Sequence, residues 1–348
     1  MATAPLTWSI LGTGNIARQF ATGVRASRRC RLGAVGSRDG AKAAEFAKAH
    51  GIPVAHASYE AAIADPTCDA VYVSLPNTLH HEWTIKALKA GKHVLCEKPL
   101  ATSLAQAQEM FDVAKQTGRV LIEGFMYRTH PMTHEIVRQI DAGAIGDVRL
   151  IRASFCFKVG KPSGNIRFEP GLAGGVLMDV GCYCVSFARL YAKAEPTTIH
   201  VQHHRHESGV DDLVVGTLGF ASGVLATFSC GMVAHADNTS SVCGSEGYVE
   251  IPVPWKPPAA GAQYTIGRST PPKMDAPPGG VTVPPRQTFT VDAGGDLYGN
   301  EADAFAAAVA GEAPPFFDEA DSLGNQRVLD EMRRMTSDGG RVGFVVRA

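Results

Sequence analysis

Trp8-Ser9-Ile10-Leu11-Gly12-Thr13-Gly14-Asn15-Ile16-Ala17 is the segment from which the architecture of this chain can be worked out. A short apolar run, typical of a buried strand, leads into a glycine-rich turn and then into a helical pattern. Gly12 permits the tight turn, Gly14 lets the backbone approach a pyrophosphate, and Ala17 allows close helix packing. The amides at the helix N-terminus suit phosphate groups. The predicted dinucleotide contacts are Gly12, Thr13, Gly14, Asn15 and Ile16.

Strand-like and helix-like segments alternate from this turn to about residue 125. That order is expected of a doubly wound parallel sheet, in which each helix returns the chain to the same edge. We therefore predict an α/β fold whose first domain, residues 1–125, binds the dinucleotide. The predicted strands are Trp8–Leu11, Leu32–Gly36, Ala70–Leu75, His93–Cys96 and Val120–Phe125, and the predicted helices are Ala41–His50, Thr78–Ala90 and Ser103–Thr117.

The pattern changes after residue 125 to an α+β arrangement. Strands with alternating side chains and little helix between them favour an open, mostly antiparallel sheet in a second domain, residues 126–348. The Pro- and Gly-rich run from Pro252 to Pro285 predicts a long surface loop. The predicted helices are Pro131–Ala142, Glu301–Ala310 and Glu319–Met335, and the predicted strands are Val148–Phe157, Thr198–His203, Leu213–Phe220, Val224–Cys230 and Tyr248–Ile251.

Composition excludes several classes of protein. The 348 residues include 33 basic and 34 acidic ones without a long basic run, which disfavours nucleic acid and anionic membranes as partners. The N-terminus lacks the basic region of a signal peptide, and we expect no apolar run of the roughly 20 residues that span a bilayer. Eight cysteines without metal-type spacing indicate reduced thiols in a cytoplasmic protein. His203, His204 and His206 are interpreted as a solvated strand end, so no metal is expected.

The end of the second strand favours NADP over NAD. An NAD site places Asp or Glu there to bind the ribose hydroxyls, whereas this strand ends in Val35-Gly36-Ser37-Arg38. Ser37 and Arg38 can bind the additional phosphate, the arginine through charge-assisted hydrogen bonds. The alternative is that Arg38 is an ordinary solvated residue and Asp39 takes the ribose.

A lysine marks the predicted reacting centre. Val94-Leu95-Cys96-Glu97-Lys98-Pro99 ends an apolar run with a Lys-Pro pair. A lysine at the carboxyl end of a buried parallel strand points into the crevice where open α/β sheets bind ligands, and Pro99 stops the strand. The alternative is an amine placed in a loop by chance. Glu97 and Lys98 are also predicted cofactor contacts, as are residues after the preceding strand: Leu75, Pro76, Asn77 and His80.

A buried helix follows Gly174-Gly175. Its apolar positions have the 3-4 spacing of a core face, and Asp179 and Tyr183, four residues apart, lie together on a neighbouring strip. A carboxylate and a phenol there can bind a polyol. A buried structural hydrogen bond explains the same pattern equally well.

These motifs together resemble the glucose-fructose oxidoreductase, inositol dehydrogenase and MocA family. The resemblance covers essentially the whole chain and implies a Rossmann domain, a C-terminal domain whose open sheet often forms an oligomer face, and a catalytic lysine at Lys98. With a tyrosine at position 183, the chain resembles the branch that contains glucose-fructose oxidoreductase, NADP-dependent D-xylose dehydrogenase and dimeric dihydrodiol dehydrogenase. This resemblance disfavours inositol as the substrate. The segment 123–131 is also similar to that branch and implies substrate contacts for Arg128 and His130.

The resemblance implies an NADP-dependent oxidoreductase that moves hydride between nicotinamide and a hydroxyl-bearing carbon of a sugar or cyclic diol. Tyr183 would exchange the hydroxyl proton with Lys98 supplying positive charge, or Lys98 would exchange it directly, and Asp179 would orient the diol. An unperturbed phenol, with a pKa of about 10, needs such a charge to act as a base. The alternatives are a ketosugar reductase, a sugar-to-sugar oxidoreductase that keeps its cofactor, and a non-catalytic nucleotide-binding regulator. A dimer or tetramer is expected.

Overall fold

A computed structural model of the protein describes residues 4–268, 285–337 and 344–345. Its first part is a parallel sheet of six strands in the order β3-β2-β1-β4-β5-β6, as predicted for a doubly wound fold. The elements are β1 (Leu6–Leu11), α1 (Asn15–Val24), β2 (Cys30–Gly36), α2 (Gly40–His50), β3 (Val54–His56), α3 (Tyr59–Ala64), β4 (Ala70–Val73), α4 (Asn77–Lys89), β5 (His93–Glu97), α5 (Leu104–Thr117) and β6 (Leu121–Gly124).

The strand order places a crevice beside β1. The chain leaves β1 toward β2 on one side and reaches β4 on the other, so the connections diverge at the carboxyl ends of the strands. Backbone hydrogen bonds join the end of β1 to the ends of its two neighbouring strands. The Gly12 amide donates to the Gly36 carbonyl at 2.9 Å, and the Ser74 amide donates to the Leu11 carbonyl at 3.2 Å. The glycine turn therefore opens at the crevice.

The second part is a nine-stranded sheet in the order β14-β13-β12-β11-β7-β10-β9-β8-β15. Among the strand pairings of the described residues in this sheet, β7–β10 alone is parallel, which confirms the mostly antiparallel α+β prediction. The elements are α6 (Pro131–Asp141), β7 (Val148–Cys156), α7 (Cys182–Ala192), β8 (Pro196–Arg205), β9 (Asp211–Phe220), β10 (Leu225–Gly231), β11 (Ser240–Gly244), β12 (Gly247–Ile251), β13 (Ala262–Arg268), β14 (Arg286–Val291), α8 (Leu297–Val309), α9 (Glu319–Ser337) and β15 (Phe344–Val345).

The predicted loop from Pro252 to Pro285 is wrong over Ala262–Arg268, which forms β13 between β12 and β14. Its side chains alternate between buried and exposed positions at the start, the pattern of a half-buried strand. Flanking prolines and glycines obscured that short pattern. Residues 269–284 of the predicted loop lie outside the described residues.

One segment is long and apolar enough to cross a membrane by length and composition, contrary to the expectation from the sequence. It covers Pro170–Ala192, and 78% of its apolar window is buried inside the protein. That burial is typical of a core helix, since α7 packs across β7 of the second sheet. All eight cysteines are free thiols, and seven of them are buried.

A helix from the second part of the chain completes the core of the first sheet. Helix α8 packs against α1, and Phe305 on α8 is fully buried against Trp8 of β1, with ring centroids 4.8 Å apart. The Cys30 thiol at the start of β2 donates to the Ala302 carbonyl at 3.3 Å. Residues far beyond position 125 are thus part of the packing of the first sheet.

We expect Phe305→Ala to lower the free energy of unfolding by about 3–5 kcal/mol, because it removes a buried aromatic ring and leaves a cavity beside Trp8. Denaturant unfolding followed by tryptophan fluorescence measures the change. Val253→Ala is the control, because that side chain is 48% exposed and its loss should cost less than about 0.5 kcal/mol. Equal unfolding midpoints for Phe305→Ala and the unaltered protein would contradict the packing role.

Candidate active site

A cavity of about 490 Å³ lies between the crevice of the first sheet and the second sheet. The first part of the chain contributes the glycine turn, the ends of β4 and β5, and the start of α4. The second part contributes an aromatic and charged wall. The predicted site residues that line the cavity are Gly12, Thr13, Gly14, Asn15, Ile16, Leu75, Pro76, Asn77, His80, Glu97, Lys98, Asp179 and Tyr183.

The glycine turn has the shape that a diphosphate requires. Gly12 has φ +102°, and a Cβ atom there would lie 3.1 Å from the Ser74 carbonyl oxygen. Gly14 occupies the N-cap of α1, where no side chain caps the first amides and no atom lies within 4 Å of a Cβ position. These amides and the positive end of the helix dipole therefore face open space, an arrangement that fits a nucleotide diphosphate.

The carboxylate that follows β2 caps the next helix. Asp39 accepts hydrogen bonds from the Ala41 amide at 3.0 Å and the Lys42 amide at 3.2 Å, so its side chain caps α2. Ser37 is buried and accepts a bond from the Asp39 amide, whereas Arg38 is exposed. Ser37 and Arg38 lie beyond the lining of the cavity, at the edge of the crevice next to the glycine turn. An exposed cation and an engaged carboxylate favour the additional phosphate over the ribose hydroxyls.

His80 lines the cavity but is committed to the protein backbone. It is 1% exposed, and its ring nitrogens lie 2.8 Å from the carbonyl oxygens of Pro99 and Leu75. Burial lowers the pKa of His80. The Asn77 side-chain amide likewise donates to the Ala173 carbonyl of the second part at 3.0 Å. Both side chains position the walls of the cavity, which leaves them fewer free atoms for a ligand.

Lys98 is held at the end of β5 by a carboxylate from the opposite wall. Its Nζ donates to the Asp179 carbonyl at 2.6 Å and lies 3.5 Å from Asp179 Oδ1, while Arg167 Nε donates to Asp179 Oδ2 at 2.5 Å. Burial alone would raise the pKa of Asp179, but the two neighbouring cations lower it. Burial alone would lower the pKa of Lys98, but Asp179, Cys182 and Glu97 together outweigh burial and raise it. Lys98 is therefore an ammonium at neutral pH.

Tyr183 presents its ring face to Lys98, with Nζ 5.0 Å from the ring centroid. The side chain is 3% exposed, and its hydroxyl donates to Met126 Sδ at 3.2 Å. Burial raises the pKa of Tyr183 well above its ordinary value. A thioether is a weak acceptor, so the neutral phenol can exchange that partner for a substrate oxygen at little cost.

Comparison with known proteins agrees with this geometry. Residues 6–125 match the GFO/IDH/MocA oxidoreductase family with an NAD-binding Rossmann fold, and residues 133–250 match the C-terminal domain of that family. The chain belongs to the GFO/IDH/MocA family. This confirms the family resemblance inferred from the glycine turn, Glu97-Lys98-Pro99 and the Asp179–Tyr183 helix.

Several relatives of known activity extend over most of the chain. The D-xylose 1-dehydrogenase (NADP(+)) 2 of Haloferax volcanii is 35% identical over 96% of this chain and 98% of that protein. The trans-1,2-dihydrobenzene-1,2-diol dehydrogenase of Xenopus laevis is 36% identical over 78% of this chain and 81% of that protein. A 3-ketoreductase from Actinomadura kijaniata, in complex with NADP and TDP-benzene, superimposes with a TM-score of 0.84 at 31% identity, covering 95% of this chain and 97% of that one.

Arg128 and His130 do not reach the cavity of this family member, which corrects the expectation that they contact substrate. Arg128 donates to Asp321 at 3.0 Å on α9. His130 is fully buried; its Nδ1 accepts from the Met132 amide and so caps α6, and its Nε2 lies 3.2 Å from the Pro258 carbonyl. Arg128 and His130 therefore make structural contacts, whereas Met126 of the same segment lines the cavity.

Several cavity residues in the second part of the chain were not predicted from the sequence. Arg167 lies in a single 3-10 turn, Ile166–Phe168, between β7 and α7, which is too short for a periodic pattern. Lys256 lies in the Pro-rich segment that was interpreted as a surface loop. Phe155 lies near the end of β7 and Phe157 follows it, and both resemble ordinary alternating strand residues. Only their distance from the crevice in three dimensions identifies them.

We expect Gly12→Ala to lower the free energy of unfolding by about 1–3 kcal/mol, because alanine is strained at φ +102° and its Cβ would approach the Ser74 carbonyl. Gly14→Ala is the matched control: its φ is −73° and its Cβ meets no protein atom, so the unfolding free energy should change by less than about 0.5 kcal/mol. Thermal and denaturant unfolding measure both. Equal loss in the two variants would contradict the geometry of the turn.

Proposed function

We propose that the protein is an NADP-dependent dehydrogenase that acts on a hydroxyl-bearing carbon of a sugar or cyclic diol. The observation that carries the proposal is the Lys98–Asp179–Tyr183 cluster at the cavity that begins at the glycine turn. The relatives support the substrate class, since one acts on D-xylose with NADP and another acts on a cyclic trans-diol.

Cofactor selection rests on two parts of the first sheet. The uncapped amides after Gly12 and Gly14 receive the diphosphate, as in other dinucleotide folds. Arg38, with Ser37, receives the additional phosphate of NADP, since Asp39 is engaged as the cap of α2. When bound, the nicotinamide supplies the hydride donor or acceptor.

Proton exchange rests on Tyr183 and Lys98. Tyr183 donates to or accepts from the substrate oxygen, and the Lys98 ammonium beside its ring stabilises negative charge on that oxygen or on the phenol. Asp179 takes a different role from the one expected: both of its oxygens are engaged by Lys98 and Arg167, so it positions these cations. The Lys98 and Arg167 cations and the Tyr183 phenol then orient the diol directly.

The opposite wall suits a ring with one hydroxylated edge. Phe155, Phe157 and Ile166 line the cavity, and Ile166 is 50% exposed despite its apolar side chain. Apolar C–H faces of a pyranose or a cyclohexadiene diol pack against such residues, while hydroxyls reach the Lys98 side. Metal assistance is not part of the proposal, and the described residues hold no group of three or more metal-ligating side chains.

We also propose a cellular location and an oligomeric state for the protein. Burial of seven reduced thiols is compatible with a cytoplasmic location, which we propose for the enzyme. We also propose a homo-oligomer, since the second sheet carries exposed apolar residues such as Val215 and Leu225 on its open face. No observation favours a ketosugar reductase, a sugar-to-sugar oxidoreductase or a regulator over the dehydrogenase.

Nicotinamide absorbance tests the proposal with NADP or NAD and a panel of D-xylose, D-glucose, myo-inositol and a trans-dihydrodiol. We expect turnover with NADP on an aldose or the dihydrodiol, and about tenfold weaker binding of NAD because it lacks the phosphate that Arg38 receives. Arg38→Ala should remove that preference while retaining NAD binding. Absence of turnover across the panel, or stronger binding of NAD than NADP, would contradict the proposal.

The pH dependence should differ between the two reaction directions. The pKa values of Lys98 and Tyr183 are both raised, so the deprotonated form that accepts the proton in alcohol oxidation is scarce at neutral pH. Its fraction rises about tenfold for each unit of pH until the pH reaches the pKa. We expect kcat/KM for oxidation to rise from pH 6 to 9 and kcat/KM for reduction to stay nearly constant. A plateau of the oxidation rate near pH 7 would indicate another base.

Lys98→Ala and Tyr183→Phe should each lose about 10²–10⁴-fold in kcat, because each removes a group that handles the substrate proton. NADPH binding, measured by fluorescence titration, should be retained in Tyr183→Phe and change little in Lys98→Ala. Near-normal turnover of either variant would remove that residue from the assignment.

A further inference from the structure

Lys256 is a cavity cation that the proposed chemistry does not use. It follows β12 in the second part of the chain, directly after Trp255. Trp255 is 3% exposed, its Nε1 donates to the Ser154 carbonyl at 2.7 Å, and its ring stacks on Phe155 with centroids 5.5 Å apart. This anchor fixes the backbone at Lys256 and directs its side chain toward the first sheet.

The charge of Lys256 is not neutralised within the described parts of the chain. The other cavity cations, Lys98 and Arg167, are both paired with Asp179. The Lys256 ammonium forms no ion pair with a described carboxylate and donates instead to the neutral Gln19 amide oxygen at 3.0 Å. Partial burial lowers its pKa, because the more distant charges of Glu97 and Asp179 do not outweigh the loss of water and the neighbouring cations. Such a site has capacity for an anionic ligand.

Gln19 shows where that anion would lie. Gln19 is on α1, one turn beyond Asn15 and Ile16, and residues three or four apart lie on the same helix face. Asn15, Ile16, Gln19 and Lys256 all line the cavity. Lys256 therefore reaches, from the opposite wall, the helix face whose N-terminal amides are open.

We propose that Lys256 binds an anionic oxygen of the cofactor diphosphate and so ties the second part of the chain to the bound dinucleotide. The inference rests on the proposed function, since it takes a dinucleotide at the glycine turn. Lys256 contributes charge to a ligand that the first sheet already contacts through its amides. An acidic group on the substrate is the competing occupant, and binding experiments separate the two.

NADPH fluorescence titration and competition by ADP-ribose test the proposal in the full-length protein. ADP-ribose carries the diphosphate without nicotinamide, whereas 2′-AMP carries neither the diphosphate nor nicotinamide. We expect Lys256→Met to raise the dissociation constants of NADPH and ADP-ribose about tenfold and to leave that of 2′-AMP unchanged. Added salt should weaken NADPH binding more in the unaltered protein than in Lys256→Met.

Two control variants accompany the test. Lys256→Arg retains the charge and should bind NADPH within about threefold of the unaltered protein. Lys89→Met removes an exposed lysine at the far end of α4 and should change no dissociation constant. Unchanged thermal unfolding of each variant without ligand shows that the fold is retained.

The outcomes distinguish this inference from the proposed function. If the unaltered protein binds neither NADPH nor ADP-ribose, the proposed function fails and this inference fails with it. If the unaltered protein binds both and Lys256→Met binds them equally well, only the role of Lys256 is overturned. Unchanged cofactor binding with a raised KM for an acidic sugar would assign Lys256 to the substrate instead.

Discussion

The salt bridge between Lys98 and Asp179 is the contact on which the arrangement of the site depends. It joins the end of β5 in the first sheet to the start of the buried helix in the second part of the chain, across the cavity. The Asp179 carbonyl accepts a second bond from the same ammonium, so backbone and side chain hold it together. Two charges in a partly buried place are stable only when they are paired and hydrogen-bonded. The need to pair these two charges fixes the distance between the two walls of the cavity.

Local helix geometry makes that contact possible. Residues Leu177–Gly181 form a π-helix before α7 begins at Cys182. A wider turn of this kind shifts the side chains relative to an α-helix and is frequent at functional sites. Asp179 on the wide turn faces Lys98 and Arg167, while Tyr183 on the following turn faces Met126. The two side chains, four residues apart, therefore serve different partners.

Much of this could be read from local sequence, and the rest depended on distant contacts. The glycine turn, the Lys98 strand end and the α/β alternation have short-range signals, because strand periodicity and turn chemistry are local. The Asp179–Tyr183 spacing identified the helix but not its π-helical turn. Arg167 and Lys256 lie in segments without periodicity, and Arg128 and His130 resembled site residues although their side chains make structural contacts. Periodicity does not reveal which loop faces a cavity.

The packing of α8 on α1 has a consequence for biosynthesis. Trp8 leaves the ribosome long before Phe305, which covers it, because the two residues are far apart in the chain. The nascent Rossmann sheet therefore emerges with an apolar face that remains uncovered until α8 has been translated. Incompletely covered surfaces of this kind are those that chaperones bind and that aggregate when translation stalls. Completion of the first sheet's core is thereby coupled to the translation of α8.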